Sequence, residues 1–389
     1  MQMDAGVYPD AAVRDAAKNF VCIRVEHDKR PDLVKRYGVK PLPDLRLIDA
    51  DGRERTKLVG FTSAAKFVAE CRAFLDGKAA GGSSPVVVRP VNATAQAVKE
   101  SVAKGSAFLK AASRKALGGA AGFEPDELVL FALASAGCDS KDEDVDRLLK
   151  AVAKAPITST YRAALRALAL SRIDAKAHRD AIAECATWLV AAQLANGQWT
   201  YRAPKAAEAP ALGDNSNTAY ALLGLAACAG AGIDVPSAAV EKAEAWWTKS
   251  QQGDGGWGYR TDRESESYAS MTESGVGSLL LCAKLRGRRP DAGILKRGLA
   301  WIAGHFSIRE NTLSAYQQGR LIYHLYAMER VGSLAEGGKI GEHDWFKESA
   351  EYLLGTQRDD GSWDDGAETP VPNTALALLV LTRSSRGLK

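Results

Sequence analysis

The chain has 389 residues, of which 46% are hydrophobic and 25% are charged, and its formal net charge at pH 7 is +4. This length suits two or three domains, and the composition excludes a disordered or collagen-like chain. Because the charge excess is small and no basic block occurs, nothing favours nucleic acid or an anionic membrane surface as a partner.

The sequence also bears on membrane insertion and on cysteine chemistry. No run approaches the roughly eighteen apolar residues of a transmembrane helix, and the first ten residues, MQMDAGVYPD, do not resemble a signal peptide. We therefore expect no transmembrane segment and a cytoplasmic location by default, with export open if the true start lies upstream of Met1. Without a CxxC or a His/Cys pair at ligand spacing, the cysteines favour core positions over disulfides or metal ligands. They are Cys22, Cys71, Cys138, Cys185, Cys228 and Cys282.

The first segment, residues 1–76, predicts elements in the order α, β, α, β, β, α. A helix begins at Pro9 in PDAAVRDAAKNF, a buried strand FVCIRVE begins at Phe20, and a short helix RPDLVKRYGV stops at Gly38. Two strands, DLRLID and RTKLVGF, follow, and Asp51-Gly52 between them is a strong hairpin signal. The amphipathic helix SAAKFVAECRAFL ends the segment.

This order, together with Pro43 directly before a strand, resembles the thioredoxin-like fold over nearly all of residues 1–76. The resemblance implies a cis peptide bond at Pro43, and a central first strand with a CxxC motif that would lie upstream of Met1. Because Cys22 and Cys71 fall in a strand and a helix rather than in the redox turn, we expect no dithiol oxidoreductase activity. The segment is then a truncated remnant or part of a longer domain, and residues 77–90, rich in glycine, serine and proline, form a linker.

A repeated motif dominates residues 91–389. In each copy a glutamine is followed four residues later by a glycine and six residues later by a tryptophan. An aromatic residue also precedes each glutamine by five positions, at Trp188, Trp246 and Tyr352. Three copies in register indicate a repeat architecture. They are Gln193, Gly197 and Trp199; Gln251, Gly255 and Trp257; and Gln357, Gly361 and Trp363.

The apolar periodicity around these copies predicts six helix pairs in residues 91–389. The first helices are amphipathic and the second are almost wholly apolar, and a helix that is apolar all round must be buried. We therefore predict two concentric rings of helices. The first helices are predicted over residues 92–112, 142–155, 178–195, 236–252, 291–305 and 342–357. The second helices are predicted over residues 125–138, 159–173, 216–231, 268–285, 314–332 and 371–384.

The motif QxxxGxW resembles the QW motif of the squalene and hopene cyclases. Six helix pairs match the (α/α)6 toroid that these cyclases share with the protein prenyltransferase β subunits. The resemblance covers residues 91–389 and implies a mainly α fold, a toroid preceded by the small α/β domain. In that family the glutamine bonds helix ends and the tryptophan stacks beside it, so the resemblance implies a structural role for these residues.

The resemblance also places GDNSNTA, residues 213–219, where the hopene cyclases have DxDDTA, whose middle aspartate protonates a double bond. Asp214 matches the first aspartate of that motif, but Ser216 and Asn217 replace the other two. A serine hydroxyl is too weak an acid to protonate an alkene. We therefore favour a helix-capping role for Asp214 and its neighbours over protonation-initiated cyclisation.

Prenyltransferase resemblance implies a zinc ion held by an aspartate, a cysteine close after it and a late histidine. The late second helix opens with Asn373 instead of histidine, and the helix from Tyr268 offers Met271 and Glu273 without a DxC. We therefore expect no metal and no cofactor.

Polar and aromatic residues at the starts of the second helices are predicted to line a central cavity or its rim, with walls from residues such as Leu222, Met271 and Leu376. A mostly apolar pocket with a few polar groups suits an isoprenoid or another lipid-like ligand. The alternative is that the small residues let the helices pack closely and leave almost no cavity. The predicted lining is Tyr161, Arg162, Asp214, Asn217, Tyr220, Glu273, Tyr316, Gln317, Arg320, Tyr323 and Asn373.

Three functions stay open on the sequence. The altered motifs favour a toroid that binds an apolar ligand or a protein partner without the usual cyclase acid or zinc site. The second is a terpenoid cyclase or transferase that uses Asp214 or Glu273 as an atypical acid, and the third is a non-catalytic scaffold. An enclosed aromatic chamber would favour the second function, and a filled barrel the third.

Overall fold

The chain divides into two compact units, Met1–Val87 and Val88–Lys389. In the part of the chain that is described, no helix combines the length and the apolar character needed to cross a bilayer. The computed structural model describes residues 7–26, 29–30, 33–34, 44–48, 54–59, 64–75, 89–114, 125–203, 213–260, 266–313, 320–335, 337–365 and 370–388.

The first unit has two helices and a pair of strands among its described elements. Helix α1 (Ala11–Ala17) begins after Asp10, whose Oδ1 accepts hydrogen bonds from two backbone amides of the first turn and so caps the helix. Strands β1 (Asp44–Ile48) and β2 (Glu54–Val59) pair antiparallel, and α2 (Ala64–Leu75) packs on α1 and β2. The small core consists of Val7, Val13, Leu58, Phe67, Val68 and Cys71.

The prediction of a buried strand at FVCIRVE is wrong. Residues 21–26 have no regular secondary structure, and Val21 and Ile23 are 90% and 79% exposed. Cys22 is exposed as well, so it is not a core residue. An alternating apolar pattern produces a buried strand only where neighbouring strands pair with its backbone. The described sheet contains β1 and β2 alone, so this segment has no such neighbour in it.

Other predictions for the first unit fall on residues that the structure does not describe. They are Pro43, the Asp51-Gly52 turn, most of the helix RPDLVKRYGV and nearly all of the linker over residues 77–90. The thioredoxin-like assignment of residues 1–76 therefore stays a prediction.

Where the second unit is described, it forms twelve α-helices in six pairs, and the predicted mainly α fold is confirmed. The first helices form an outer ring and the second helices an inner ring. The outer helices are α3 (Ala95–Ser113), α5 (Glu143–Lys154), α7 (Arg179–Ala191), α9 (Ser237–Lys249), α11 (Ala292–Gly304) and α13 (Trp345–Thr356). The inner helices are α4 (Pro125–Ser135), α6 (Thr160–Asp174), α8 (Asn215–Gly230), α10 (Ala269–Leu285), α12 (Leu321–Leu334) and α14 (Pro370–Leu381).

The inner ring is closed, because each inner helix packs on the next one and α14 packs back on α4. Burial follows the predicted difference between the two sets of helices. In α8 every residue from 215 to 228 is buried, whereas the buried positions of α5 lie on one face, at Asp144, Val145, Leu148 and Val152. A small residue allows close packing at Gly224, where a Cβ would lie 2.7 Å from the Cα of Ala164.

One helix boundary differs clearly from its prediction. Helix α12 begins at Leu321 rather than at residue 314, whereas the other ends lie within four residues of the predicted ones. Arg320, directly before α12, has a left-handed backbone with φ of 71°, which a helix residue does not adopt, and is therefore not part of α12. Arg320 thus precedes the first turn instead of lying within it.

A short 3-10 helix, Ser384–Leu388, covers the carboxyl-terminal end of the inner ring. Its Ser385 donates to the Glu329 carboxylate through the backbone amide at 2.9 Å and through the hydroxyl at 2.6 Å. Arg172 at the end of α6 donates to the carbonyl of Ser384, and Lys284 at the end of α10 donates to that of Leu388. The amino-terminal rim of the inner helices is the opposite end of the ring.

Candidate functional site

The glutamine of each repeated motif joins its own turn to another outer helix. In all three copies Nε2 donates to the carbonyl oxygen of the motif glycine and to one further carbonyl oxygen. The bond from Gln357 joins the last outer helix to the first, and so ties the outer ring closed. The further acceptors are Ala239 in α9 for Gln193 at 2.9 Å, Ile294 in α11 for Gln251 at 3.0 Å, and Ser101 in α3 for Gln357 at 3.0 Å.

The motif glycines lie where two outer helices approach each other. Gly197, Gly255 and Gly361 have φ values of 91°, 92° and 86°, in the left-handed region that glycine tolerates best. A Cβ on Gly361 would lie 2.5 Å from the carbonyl oxygen of Lys104 in α3. Both the backbone conformation and the close approach therefore require glycine at this position.

The motif tryptophans connect outer and inner helices. Each indole Nε1 donates to a carbonyl oxygen ten residues earlier in its own outer helix, at 2.7 to 3.0 Å. Each tryptophan backbone amide donates to a threonine hydroxyl of the next inner helix, at 3.1 or 3.2 Å. These contacts give the repeated residues a structural role. The threonines are Thr218, Thr272 and Thr374.

Asp214, the position of the predicted acid, is the N-cap of α8 and is 1% exposed. Its Oδ1 accepts from the Ser216 hydroxyl at 2.7 Å and from the Asn217 amide at 2.9 Å, and its Oδ2 accepts from Asn217 Nδ2 at 2.8 Å. Both carboxylate oxygens are therefore engaged with the first turn of the helix that they cap. The altered residues of the motif supply two of these three donors from their side chains.

Four tyrosines in successive ring contact lead from the rim of the inner ring toward its centre, and we call them the tyrosine column: Tyr201, Tyr161, Tyr220 and Tyr323. The first and last pairs are stacked, and the middle pair is tilted by 37°. Successive ring centroids are 5.9, 4.3 and 6.5 Å apart. At the outer end, the Tyr201 hydroxyl lies 3.2 Å from that of Tyr259. Burial raises the pKa of Tyr161, Tyr220 and Tyr323, so these phenols stay neutral.

Glu273 and His324 form a buried pair between α10 and α12. His324 Nδ1 lies 2.9 Å from Glu273 Oε2, and His324 Nε2 lies 2.8 Å from the carbonyl oxygen of Ser307. Because a carbonyl only accepts, Nε2 carries a proton, and a further proton lies between Nδ1 and Oε2. Burial raises the pKa of Glu273, although His324 opposes this effect. Burial acts to lower the pKa of His324, but Glu273 and Ser307 outweigh it and the pKa is raised.

Three other predicted lining residues have neighbours of their own, and their place at a cavity stays a prediction. The Arg162 guanidinium lies 2.8 Å from the Glu127 carboxylate of α4, and Asn373 donates to Asp365 at 2.9 Å. Met271 is buried in α10 and contributes to the core. Two further predicted residues, Tyr316 and Gln317, lie outside the described part of the chain.

Asn373, at the position where the prenyltransferase resemblance implies a histidine ligand, donates a hydrogen bond to Asp365, and Met271 packs in the core. Among the described residues no group of three His, Cys, Asp or Glu side chains is arranged to hold a metal ion.

Two features of this unit were not predicted from the sequence. Arg330, in the third turn of α12, is buried inside the ring. The sequence feature that could have indicated this buried charge is the pair Glu329-Arg330 within an otherwise apolar helix. A surface cavity of about 400 Å³ also opens between residues 89–92, the loop after α11 and helix α13, and its wall includes Arg309 and Tyr352. No motif in the sequence marks this cavity.

A comparison with known structures finds several that are similar to this chain. A possible member of the GH105 family from Salmonella enterica serovar Paratyphi A is 13% identical, with a TM-score of 0.51, over 78% of this chain and 97% of that one. A variant of the type II terpene cyclase MstE from Scytonema is 14% identical, with a TM-score of 0.47, over 75% of this chain and 97% of that one. A protein from Actinoplanes is 14% identical, with a TM-score of 0.49, over 74% and 99% of the two chains.

No protein-family model and no curated protein matches the sequence. The likeness to the Salmonella structure supports the α/α toroid predicted from the repeats. At such low identity the likeness establishes the fold alone.

Proposed function

We propose that this chain is a toroid that binds an apolar, isoprenoid-like ligand at the amino-terminal rim of its inner helices and does not convert it. The observation that carries this proposal is the tyrosine column. Its outer member Tyr201 is half-buried beside the half-buried Tyr259, so both rings present an aromatic face and a hydroxyl at the rim. Tyrosine combines an apolar body with a polar tip, which suits a ligand that has an apolar chain and a polar end.

The state of Asp214 supports binding without turnover. An acid that protonates an alkene must hold a proton on an oxygen that faces the substrate. Asp214 uses both oxygens as acceptors for groups of its own helix. Ser216 stands at the position of the family's catalytic aspartate, and its hydroxyl donates a hydrogen bond to Asp214. Asp214, Ser216 and Asn217 are thus bonded to one another in the arrangement of a helix cap.

Glu273 favours a second candidate function, an atypical cyclase or transferase. Burial raises its pKa, which is the direction that a general acid needs at neutral pH. Its Oε1 is buried and has no hydrogen-bond partner, while Oε2 faces His324. In this candidate, Glu273 is the proton donor and His324 restores its proton.

A ligand titration tests the binding proposal. Farnesol and geranylgeraniol are added to the full chain, and binding is followed by tyrosine and tryptophan fluorescence. Removing the ring of Tyr201 or Tyr259 takes away contacts worth about 1.5–3 kcal/mol, so Tyr201→Ala and Tyr259→Ala should weaken binding roughly ten- to hundredfold. Tyr352→Ala is the matched control, since Tyr352 lies on α13 at the surface cavity. No binding of either alcohol, or a loss confined to Tyr352→Ala, would contradict the proposal.

A turnover assay separates the two candidates. Squalene and geranylgeranyl diphosphate are incubated with the wild type, Asp214→Asn and Glu273→Gln, and the extracts are analysed by gas chromatography with mass spectrometry. We expect no cyclised or transferred product from any of the three. A wild-type product that is lost in Glu273→Gln would establish the second candidate instead, and one lost in Asp214→Asn would refute the capping role.

A further inference from the structure

Arg330 lies inside the inner ring, where it contacts residues of two other inner helices, α8 and α10, and one residue of its own helix α12. The side chain belongs to α12 and is 2% exposed. Its guanidinium lies 5.6 Å from the ring centroid of Tyr220 in α8 and 4.9 Å from that of Tyr326. Its Nη2 donates to the Ser274 hydroxyl of α10 at 3.0 Å. The guanidinium is thus held by aromatic faces, by the Ser274 hydroxyl and by hydrogen bonding with the Tyr220 and Tyr326 phenols, which opposes the rise that burial causes in the pKa of both tyrosines.

No carboxylate of the described residues lies within ion-pair distance of Arg330, which sets it apart from the other buried arginine, Arg166. Arg166 lies 3.5 Å from the Glu127 carboxylate. Glu329, adjacent to Arg330 in sequence, is bonded instead to Ser385 and Ser333 at the covered end of the ring.

The second buried carboxylate near this part of the ring is Glu273, whose Oε2 faces His324; Arg330 acts to lower its pKa, but from farther away than ion-pair distance. Arg330 Nη1 is buried and has no hydrogen-bond partner. A buried cation without a paired anion is costly by several kcal/mol, and an unsatisfied buried donor adds to that cost. Contacts with aromatic faces offset part of the cost, but a ring face does not complete the hydrogen bonding of Nη1.

We propose that the centre of the inner ring is an anion-binding site, in which Arg330 Nη1 binds one small monovalent anion such as a halide or a carboxylate. The Ser274 hydroxyl is already held by the guanidinium, and Tyr220, Tyr323 and Tyr326 surround the same place with neutral phenols. Burial raises the pKa of Tyr326 to about 12, so this phenol keeps its proton and remains a donor. The site goes beyond the rim function proposed above and does not depend on it.

The anion has two sources with the same chemistry, a free ion or the acid group at the end of a larger ligand. Both supply one negative charge and at least one acceptor for Nη1. A small free ion requires less displacement of the tyrosine column than a long chain does. An acid group on a long chain has to displace column residues from the rim inward, so sodium formate and sodium dodecanoate distinguish the two sources.

The first test locates the ion. Crystals of the full chain grown in sodium bromide should show an anomalous bromide peak at hydrogen-bond distance from Arg330 Nη1. The second test measures affinity from the unfolding midpoint in formate or dodecanoate, with sodium gluconate keeping the ionic strength constant. A bound anion raises the midpoint in proportion to the logarithm of its concentration above Kd.

Arg330→Met should remove both the bromide peak and the dependence on the anion. Arg166→Met is the matched control, since it removes a buried arginine that has a carboxylate partner. This variant should keep the bromide peak and the dependence of the unfolding midpoint on the anion. If Arg330→Met does not fold, the wild-type bromide map decides. A response to formate and bromide supports a free ion, and a response to dodecanoate alone supports an acid group. No peak and no response to either anion would show that the aromatic rings and Ser274 suffice, and would overturn the proposal.

Discussion

Replacing Gly361 by alanine should strain the contact that closes the outer ring. Gly361 has φ of 86°, and a Cβ added there would lie 2.5 Å from the carbonyl oxygen of Lys104 and 2.8 Å from its carbonyl carbon. Both atoms belong to the backbone of α3, so they cannot rotate away as the end of a flexible side chain would. The turn after α13 must therefore move away from α3, which weakens the bond from Gln357 to Ser101.

The expected loss of stability has two parts. A left-handed backbone costs alanine about 1–2 kcal/mol. Forcing an extra methyl group into a packed contact costs about 1–3 kcal/mol more. Gly361→Ala should therefore lower the free energy of unfolding by roughly 2–5 kcal/mol. The matched control is Gly137→Ala, where φ is 74° and no atom lies within 4 Å of the added Cβ. Gly137→Ala should therefore lose only the stability that the left-handed backbone costs, about 1–2 kcal/mol.

Guanidinium chloride titrations followed by far-UV circular dichroism measure these differences. We expect the order of destabilisation Gly361→Ala, then Gly255→Ala, then Gly137→Ala, because a Cβ on Gly255 would lie 3.0 Å from the nearest backbone atom. A loss in Gly361→Ala no larger than that in Gly137→Ala would refute the argument that the outer ring is closed by a tight backbone contact.

The remaining predictions use single substitutions and one chemical probe. Gln357→Ala removes two hydrogen bonds and should cost about 1–3 kcal/mol in the same titration; an unchanged midpoint would contradict the bridging role. Asp214→Ala removes the α8 cap and should cost about 0.5–2 kcal/mol or more, while a neutral effect would argue against capping. The pKa of His324 is raised from 6.5, so the stability that protonated His324 contributes is complete below pH 6.5 and is lost as the pH rises through the raised pKa of the folded state. In Glu273→Gln the free energy of unfolding should decline less steeply over this pH range. An equal slope in both proteins would exclude the Glu273–His324 pair as the cause of the decline. A thiol reagent should modify the exposed Cys22 in the native protein, and mass spectrometry should find Cys71, whose pKa burial raises to about 11, unmodified until unfolding.

Local sequence determined the secondary structure of the second unit. Most residues of the inner helices are apolar, and the outer helices are apolar on one face, so periodicity was sufficient to locate twelve helices among the described residues. The repeated spacing of glutamine, glycine and tryptophan then indicated that neighbouring pairs are joined in the same way. The same local reasoning recognised the residues after Gly213 as cap formers, because capping involves only residues near each other in sequence.

The wrong strand at FVCIRVE illustrates the limit of such reasoning. Its alternation describes which side chains could be buried together, but burial requires a partner on each side of the backbone. Val21 and Ile23 are exposed because the described part of the first unit places no strand beside them. Whether a strand has neighbours is a property of the whole fold.

Sequence alone therefore determined that helices of two kinds alternate and repeat, since amphipathicity and motif spacing are local properties. Only the tertiary structure decided what fills the ring. The Glu273–His324 pair and the tyrosine column join residues from different inner helices. The hydrogen bond from Arg330 to Ser274 does the same. Which faces of those helices meet is set by packing around a closed ring, and no spacing along the chain encodes it.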